Sequence, residues 1–151
     1  MTIKLGKNPK DFKKTLTVVS IDGVSDTLSI TYIYRDPVQM AELLDKRAAA
    51  AAAEAEASAK AALEAEAAEA AATEQGRDAA AAPVKIPSIK EGYLAQAHAA
   101  ANEVLEIATG WDVDDAFTAE NLLVLEKEFP GALVAIQARY QQAVTEVRVK
   151  N

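Results

Sequence analysis

Between residues 48 and 82, 21 of 35 residues are alanine, and Leu63 is the only larger apolar side chain among them. Alanine has the highest helix propensity but buries almost nothing, so this tract must be helical without being core. Glu56, Lys60 and Glu64 stand four residues apart and add a charged ladder along one side. Upstream, Asp36 can cap, Pro37 suits a first helical position and Gln39 falls where a capping-box partner reaches back. Val38, Ala41, Leu43 and Leu44 then give the helix a short apolar face. A helix from Pro37 to Gln75, ending at Gly76, would run about 58 Å at 1.5 Å per residue. That exceeds a compact domain of 151 residues, so the helix must protrude or pair.

The flanking segments carry the core-forming residues. Residues 15–34 alternate in β-branched and aromatic types, with a break at Asp22-Gly23, and predict a β-hairpin. Leu28, Ile30, Tyr32 and Tyr34 share one face of its second arm, which needs a helical surface or another subunit to cover it. Residues 77–87, with Pro83 and Pro87, read as a linker. Ser88 and Glu91 form a second capping-box signal. The helix behind them aligns Leu94, Ala97, Ala101, Val104, Leu105 and Ala108 and is expected to stop at Gly110. Residues 111–117 read as an acidic loop, and Thr118 caps a short helix through Glu128. Phe129-Pro130-Gly131 opens a last helix with Leu133, Ile136, Tyr140, Val144 and Val147 in register. The expectation is an α+β fold, mostly α-helical: an N-terminal hairpin and helix start (1–47), an Ala/Glu-rich helix and linker (48–82) and a C-terminal helical bundle (83–151). These form one structural domain with a protruding helix.

Charge and composition narrow the function classes. A net charge of -7 has the wrong sign for phosphate neutralisation, which argues against nucleic acid. No signal-peptide pattern precedes the lysines near the start. The longest uncharged run, residues 92–102, is only 11 residues, far short of the roughly 20 that span a bilayer, so no membrane is expected. The chain has no cysteine and one histidine, His98, which leaves no catalytic triad and no multi-histidine metal site. The six glycines are isolated, so no phosphate loop exists. Asp112, Asp114 and Asp115 resemble the start of a calcium loop, but Phe117 and Leu123 occupy the places where an EF-hand needs Gly and Glu. Neither an enzyme nor a cofactor is expected. Trp111, Phe117, Phe129 and Tyr140 read first as core packing, with partner-binding surface as the alternative, since the same side chain types dominate both.

The stretch Gly-Trp-Asp-Val-Asp-Asp-Ala-Phe-Thr-Ala-Glu-Asn-Leu at 110–122, the run from Glu126 through Phe129-Pro130-Gly131-Ala132, and residues 136–140 together resemble the C-terminal signature of a family of tailed-bacteriophage tail assembly chaperones. Residues 31–46 are similar to that family's junction of an aromatic-rich strand, a polar turn and a helix start. The resemblance implies a non-enzymatic protein of the host bacterial cytoplasm. Such a protein coats the tape-measure protein, helps tail-tube protein polymerise around it, and leaves the finished particle; its gene often yields a longer product by frameshifting. On that reading, Trp111, Asp112, Phe117, Leu122, Phe129 and Tyr140 are the partner-binding candidates, with the hairpin edge as a second surface. The rival is a structural coiled-coil or spacer protein self-associating through the alanine-rich helix. That rival lacks a heptad of larger apolar residues. A homo-oligomer is compatible with either.

Overall fold

A computed structural model of the chain describes residues 5–6, 9–74 and 86–149. The chain divides into two compact units, Met1–Tyr34 with Pro87–Asn151, and Arg35–Ile86.

The first unit contains the predicted hairpin, β1 (Asp11–Val19) and β2 (Ser25–Ile33), paired antiparallel through nine consecutive residue pairs. Its turn is closed by the Gly23 amide donating to the Ser20 carbonyl at 2.9 Å and the Ser20 amide donating to Val24 at 2.8 Å. Gly23 sits at φ 81°, a conformation that side-chain-bearing residues rarely adopt. Alternation then decides which side is covered. Leu16, Val18, Leu28, Ile30 and Tyr32 are buried, while Lys13, Thr15, Thr17 and Val19 face out.

The second helix of the chain, designated α2 (Ile89–Ile107), starts with the Ser88–Glu91 capping box fully formed. It buries Ala97, Ala101 and Val104 as the periodicity predicts. Its end differs from expectation. Rather than continuing to Gly110, the chain turns extended at Ala108 (φ -134°) and enters a third strand, β3 (Ala108–Trp111), which pairs antiparallel with β2. The sheet order is β1-β2-β3. A bulge shifts the register between Thr31 and Tyr32, so Ala108 pairs with Tyr32 and Trp111 with Ile30. Residues three apart ordinarily point to opposite faces of a strand. The extra residue of the bulge places Ala108 and Trp111 on the same helix-covered face.

Helices α3 (Ala119–Glu128) and α4 (Ala132–Val149) complete this unit. Leu122, Leu133, Ile136 and Tyr140 are buried in its core, and Val144 is partly buried. The side chain of Val147 lies outside the described residues. Phe12, Tyr32 and Tyr140 form an aromatic cluster, with centroids 5.5 Å apart for Phe12–Tyr32 and Tyr32–Tyr140, and 6.2 Å for Phe12–Tyr140. Glu146 on α4 reaches Lys14 of β1 at 3.7 Å and Arg139 at 3.8 Å.

The second unit is dominated by α1 (Pro37–Glu74). Its start is as predicted: the Asp36 carboxylate accepts from the Gln39 amide at 2.8 Å, and the Asp36 amide donates back to the Gln39 side chain at 3.1 Å. Leu44 and Leu63 are exposed along it. Gln75, Gly76 and residues 77–85 of the expected linker lie outside the described residues.

Candidate partner-binding surface

The segment from Thr109 to Gly131 is held by polar side chains whose partners are mostly backbone groups. After β3, the Asp112 amide donates to the Ser29 carbonyl at 3.1 Å, and the Asp112 carboxylate accepts from the Ser29 amide at 2.9 Å. Asp112 thus extends the β2–β3 ladder by one side-chain-mediated step. Trp111 closes the loop that follows: its indole Nε1 donates to the Asp115 carbonyl at 2.6 Å, and its ring meets Phe117 edge-on at 5.2 Å.

Thr118 caps α3, its hydroxyl accepting from the Asn121 amide at 3.3 Å. Asn121 turns its side-chain amide back to the Ala116 carbonyl at 2.8 Å, binding the loop to the helix that it precedes. At the far end, Glu126 accepts from the Gly131 amide at 2.9 Å and the Leu133 amide at 3.0 Å. One carboxylate therefore serves two of the amides that the start of α4 leaves without helical partners, at the end where the helix dipole favours negative charge. Gly131 makes this tight connection possible at φ 89°.

The six candidates separate by accessibility. Leu122 and Tyr140 are fully buried and belong to the core of the first unit. Trp111, Phe117 and Phe129 are partly buried, and Asp112 is exposed. Val113, between the Trp-Asp pair and the two further aspartates, is an exposed apolar residue of the same loop. Trp111, Asp112, Phe117 and Val113 thus come together in one stretch, while Phe129 marks the opposite end of α3. Sequence reasoning did not single out Ser29, Asn121 or Val113 as site residues. Asn121 had a signal, three residues after a capping Thr; the Ser29 contact spans 83 residues and had none.

The Asp112 carboxylate is engaged by Ser29, and among the described residues no group of three or more His, Cys, Asp or Glu could hold a metal ion. His98 is exposed on α2. No helix among the described residues is long and apolar enough to cross a membrane.

A small sheet-and-helix unit with a braced, partly apolar loop is joined in one chain to a long alanine-rich helix. The family model for phage tail assembly chaperones matches residues 1–151, the whole chain, and the chain belongs to that family. No curated protein and no solved structure matches it.

Proposed function

We propose that this chain holds the phage tape-measure protein in soluble form in the host bacterial cytoplasm and assists tail-tube polymerisation around it, without catalysing a reaction. The family match across all 151 residues carries the reading. The loop at 111–117 supports it. Its backbone is fixed by Asp112, Trp111 and Asn121, so Val113 and the accessible parts of Trp111 and Phe117 are presented with little further ordering cost on binding. Phe129 offers a second apolar contact at the end of α3. The acidic balance of the chain keeps a loaded complex soluble.

Co-expression with the tape-measure protein tests this directly. The expected result is a soluble complex that co-purifies, together with loss of capture in Trp111→Ala and in Val113→Lys. Val113 is exposed, so its variant keeps the native circular dichroism spectrum and isolates binding from folding. A tape-measure protein that stays insoluble beside the folded wild-type chain would overturn the proposal.

A further inference from the structure

The two edges of the sheet are finished differently. At one edge β3 is only four residues long, its pairing with β2 shifts register between Thr31 and Tyr32, and the Asp112 carboxylate takes the Ser29 amide just past its end. Short strands and irregular pairing close a sheet edge to other strands. At the other edge β1 contains no proline and pairs with β2 through nine consecutive residues without a register shift. Among the described residues no strand lies outside it.

Hydrogen-bond parity fixes what the β1 edge offers. The Tyr34 amide donates to the Lys10 carbonyl at 3.0 Å and the Ser20 amide to the Val24 carbonyl at 2.8 Å, so even-numbered residues of this strand turn their backbone groups toward β2. Alternation turns the amides and carbonyls of Asp11, Lys13, Thr15, Thr17 and Val19 outward. Those five residues are exposed, whereas Leu16 and Val18 are buried on the opposite face. A strand added here continues both faces: residues opposite Leu16 and Val18 extend the covered one, and residues opposite Thr15 and Thr17 stay in solvent.

Charge selects the kind of strand. The chain is net acidic, yet residues 9–19 hold three lysines and one aspartate. Lys10 and Lys13 are exposed, and Lys14 shares the Glu146 carboxylate with Arg139, at 3.7 and 3.8 Å. One carboxylate between two cations leaves the start of β1 positive, while Thr15 to Val19 carries no charge. We propose that the outer edge of β1 docks an extended segment of another protein, added antiparallel with its acidic end beside Lys13 and Lys14 and small apolar side chains beside Leu16 and Val18. Backbone bonds supply the affinity and the acidic end sets the register. A slip of two residues keeps the faces but sets an acid against Asp11 or Thr15 instead of Lys13.

This site does not rest on the tape-measure reading, because residues 111–117 follow β3 at the other edge of the sheet. Val113→Lys tests that loop and Thr17→Pro tests this edge, so the two readings fail separately.

The probe is a capped synthetic peptide, Thr-Val-Thr-Val-Thr-Glu-Glu, whose residues fall opposite Val19 back to Lys13; a second peptide ends in Lys-Lys instead. NMR titration and amide hydrogen exchange on the full chain read both. Without peptide, the Thr15 and Thr17 amides are expected to exchange fast and those of Leu16 and Val18 slowly. The acidic peptide slows Thr15 and Thr17 and binds with a dissociation constant below about 1 mM. Thr17→Pro removes an outward amide that makes no bond to β2, and is expected to weaken binding at least about tenfold with native circular dichroism. Lys13→Glu weakens the acidic peptide several-fold and makes the lysine-ended peptide the better ligand. Absence of saturable binding below about 1 mM overturns the proposal. So does binding that leaves Thr15 and Thr17 exchange unchanged, that survives Thr17→Pro, or that takes both peptides equally. Slow exchange of Thr15 and Thr17 without peptide gives the edge to a second copy, and tighter binding of an oligothymidylate at Lys13 gives it to phosphates; either result also overturns it.

Discussion

Residue for residue, the sheet-and-helix unit and α1 keep their backbone hydrogen bonds by different means. The first unit buries Tyr32, Tyr140, Ile30, Leu122, Leu133 and Ile136 almost completely, so its helices persist because their apolar faces are covered. In α1, 18 of 38 residues are alanine, and its Leu44 and Leu63 remain exposed. Apart from Leu43, which is buried near its start, that helix persists through propensity and its capped start. The lesson is that a long regular element need not signal a core. In a chain with 34 alanines among its 76 apolar residues, hydrophobic count overstates what can be packed.

The sharpest way to break this contrast is to truncate a leucine in each region. Leu122→Ala empties a fully buried site and is expected to cost about 3 kcal/mol, within the 2–5 kcal/mol found for such changes. Leu63→Ala removes a side chain that is 67% exposed and replaces it with a better helix former, so the change should stay within about 0.5 kcal/mol of zero. Urea unfolding followed by Trp111 fluorescence for the first and by helical circular dichroism for the second reads both. Equal losses would mean that α1 is packed as tightly as the core.

Within the first unit the aromatic cluster supplies an internal comparison. The Tyr32 hydroxyl donates to the Ile136 carbonyl at 2.9 Å, whereas the buried Tyr140 hydroxyl has no hydrogen-bond partner among the described residues. Tyr32→Phe is expected to cost about 1 kcal/mol, and Tyr140→Phe to be neutral or stabilising by a similar amount, because it removes a polar group that burial leaves unpaired. Burial also pushes the Tyr32 phenol above its ordinary value of 10.0, against a smaller opposing pull from Arg139. Raised in the folded state, it contributes stability in full below about pH 10, which is lost as pH climbs toward the folded value. Chemical denaturation at pH 9 and pH 11 should therefore show a steeper alkaline loss for the wild type than for Tyr32→Phe. Matching slopes would place the alkaline sensitivity elsewhere.

The regions also differ in how much could be read from residues alone. Both capping boxes, the hairpin and the start of every helix were legible because each rests on neighbours within a few positions: Asp36 with Gln39, Ser88 with Glu91, Thr118 with Asn121. Strand β3 was not. Its Ala-Thr-Gly-Trp sequence follows α2 without a polar break, its strand partner is the distant β2, and Gly110 read as a helix stop rather than as part of a bulged strand. Residues 11–14 of β1 were missed because Lys13 and Lys14 hide the alternation that Phe12 and Leu16 complete. The candidate surface divided on the same line. Aromatic type marked Trp111 and Tyr140 alike, but only tertiary packing separates the partly buried ring from the one enclosed by Phe12 and Tyr32.

The weakest expected effect tests whether α1 stands on local terms alone. Lys60 lies four residues after Glu56 and four before Glu64, and each such pair stabilises an exposed helix by about 0.2–0.5 kcal/mol. Lys60→Gln keeps helix propensity and side-chain length close to the original while removing the charge. It should lower the helical signal slightly at low salt, with the difference shrinking as salt screens the wild-type pairs. Trp111 fluorescence, which reports the other unit, should give the same unfolding midpoint for both proteins. A shift of that midpoint would show that the stability of the first unit depends on charge along α1. The helix would then be a load shared with the sheet and its three helices, and the separation between buried and propensity-built regions would fail at its smallest test.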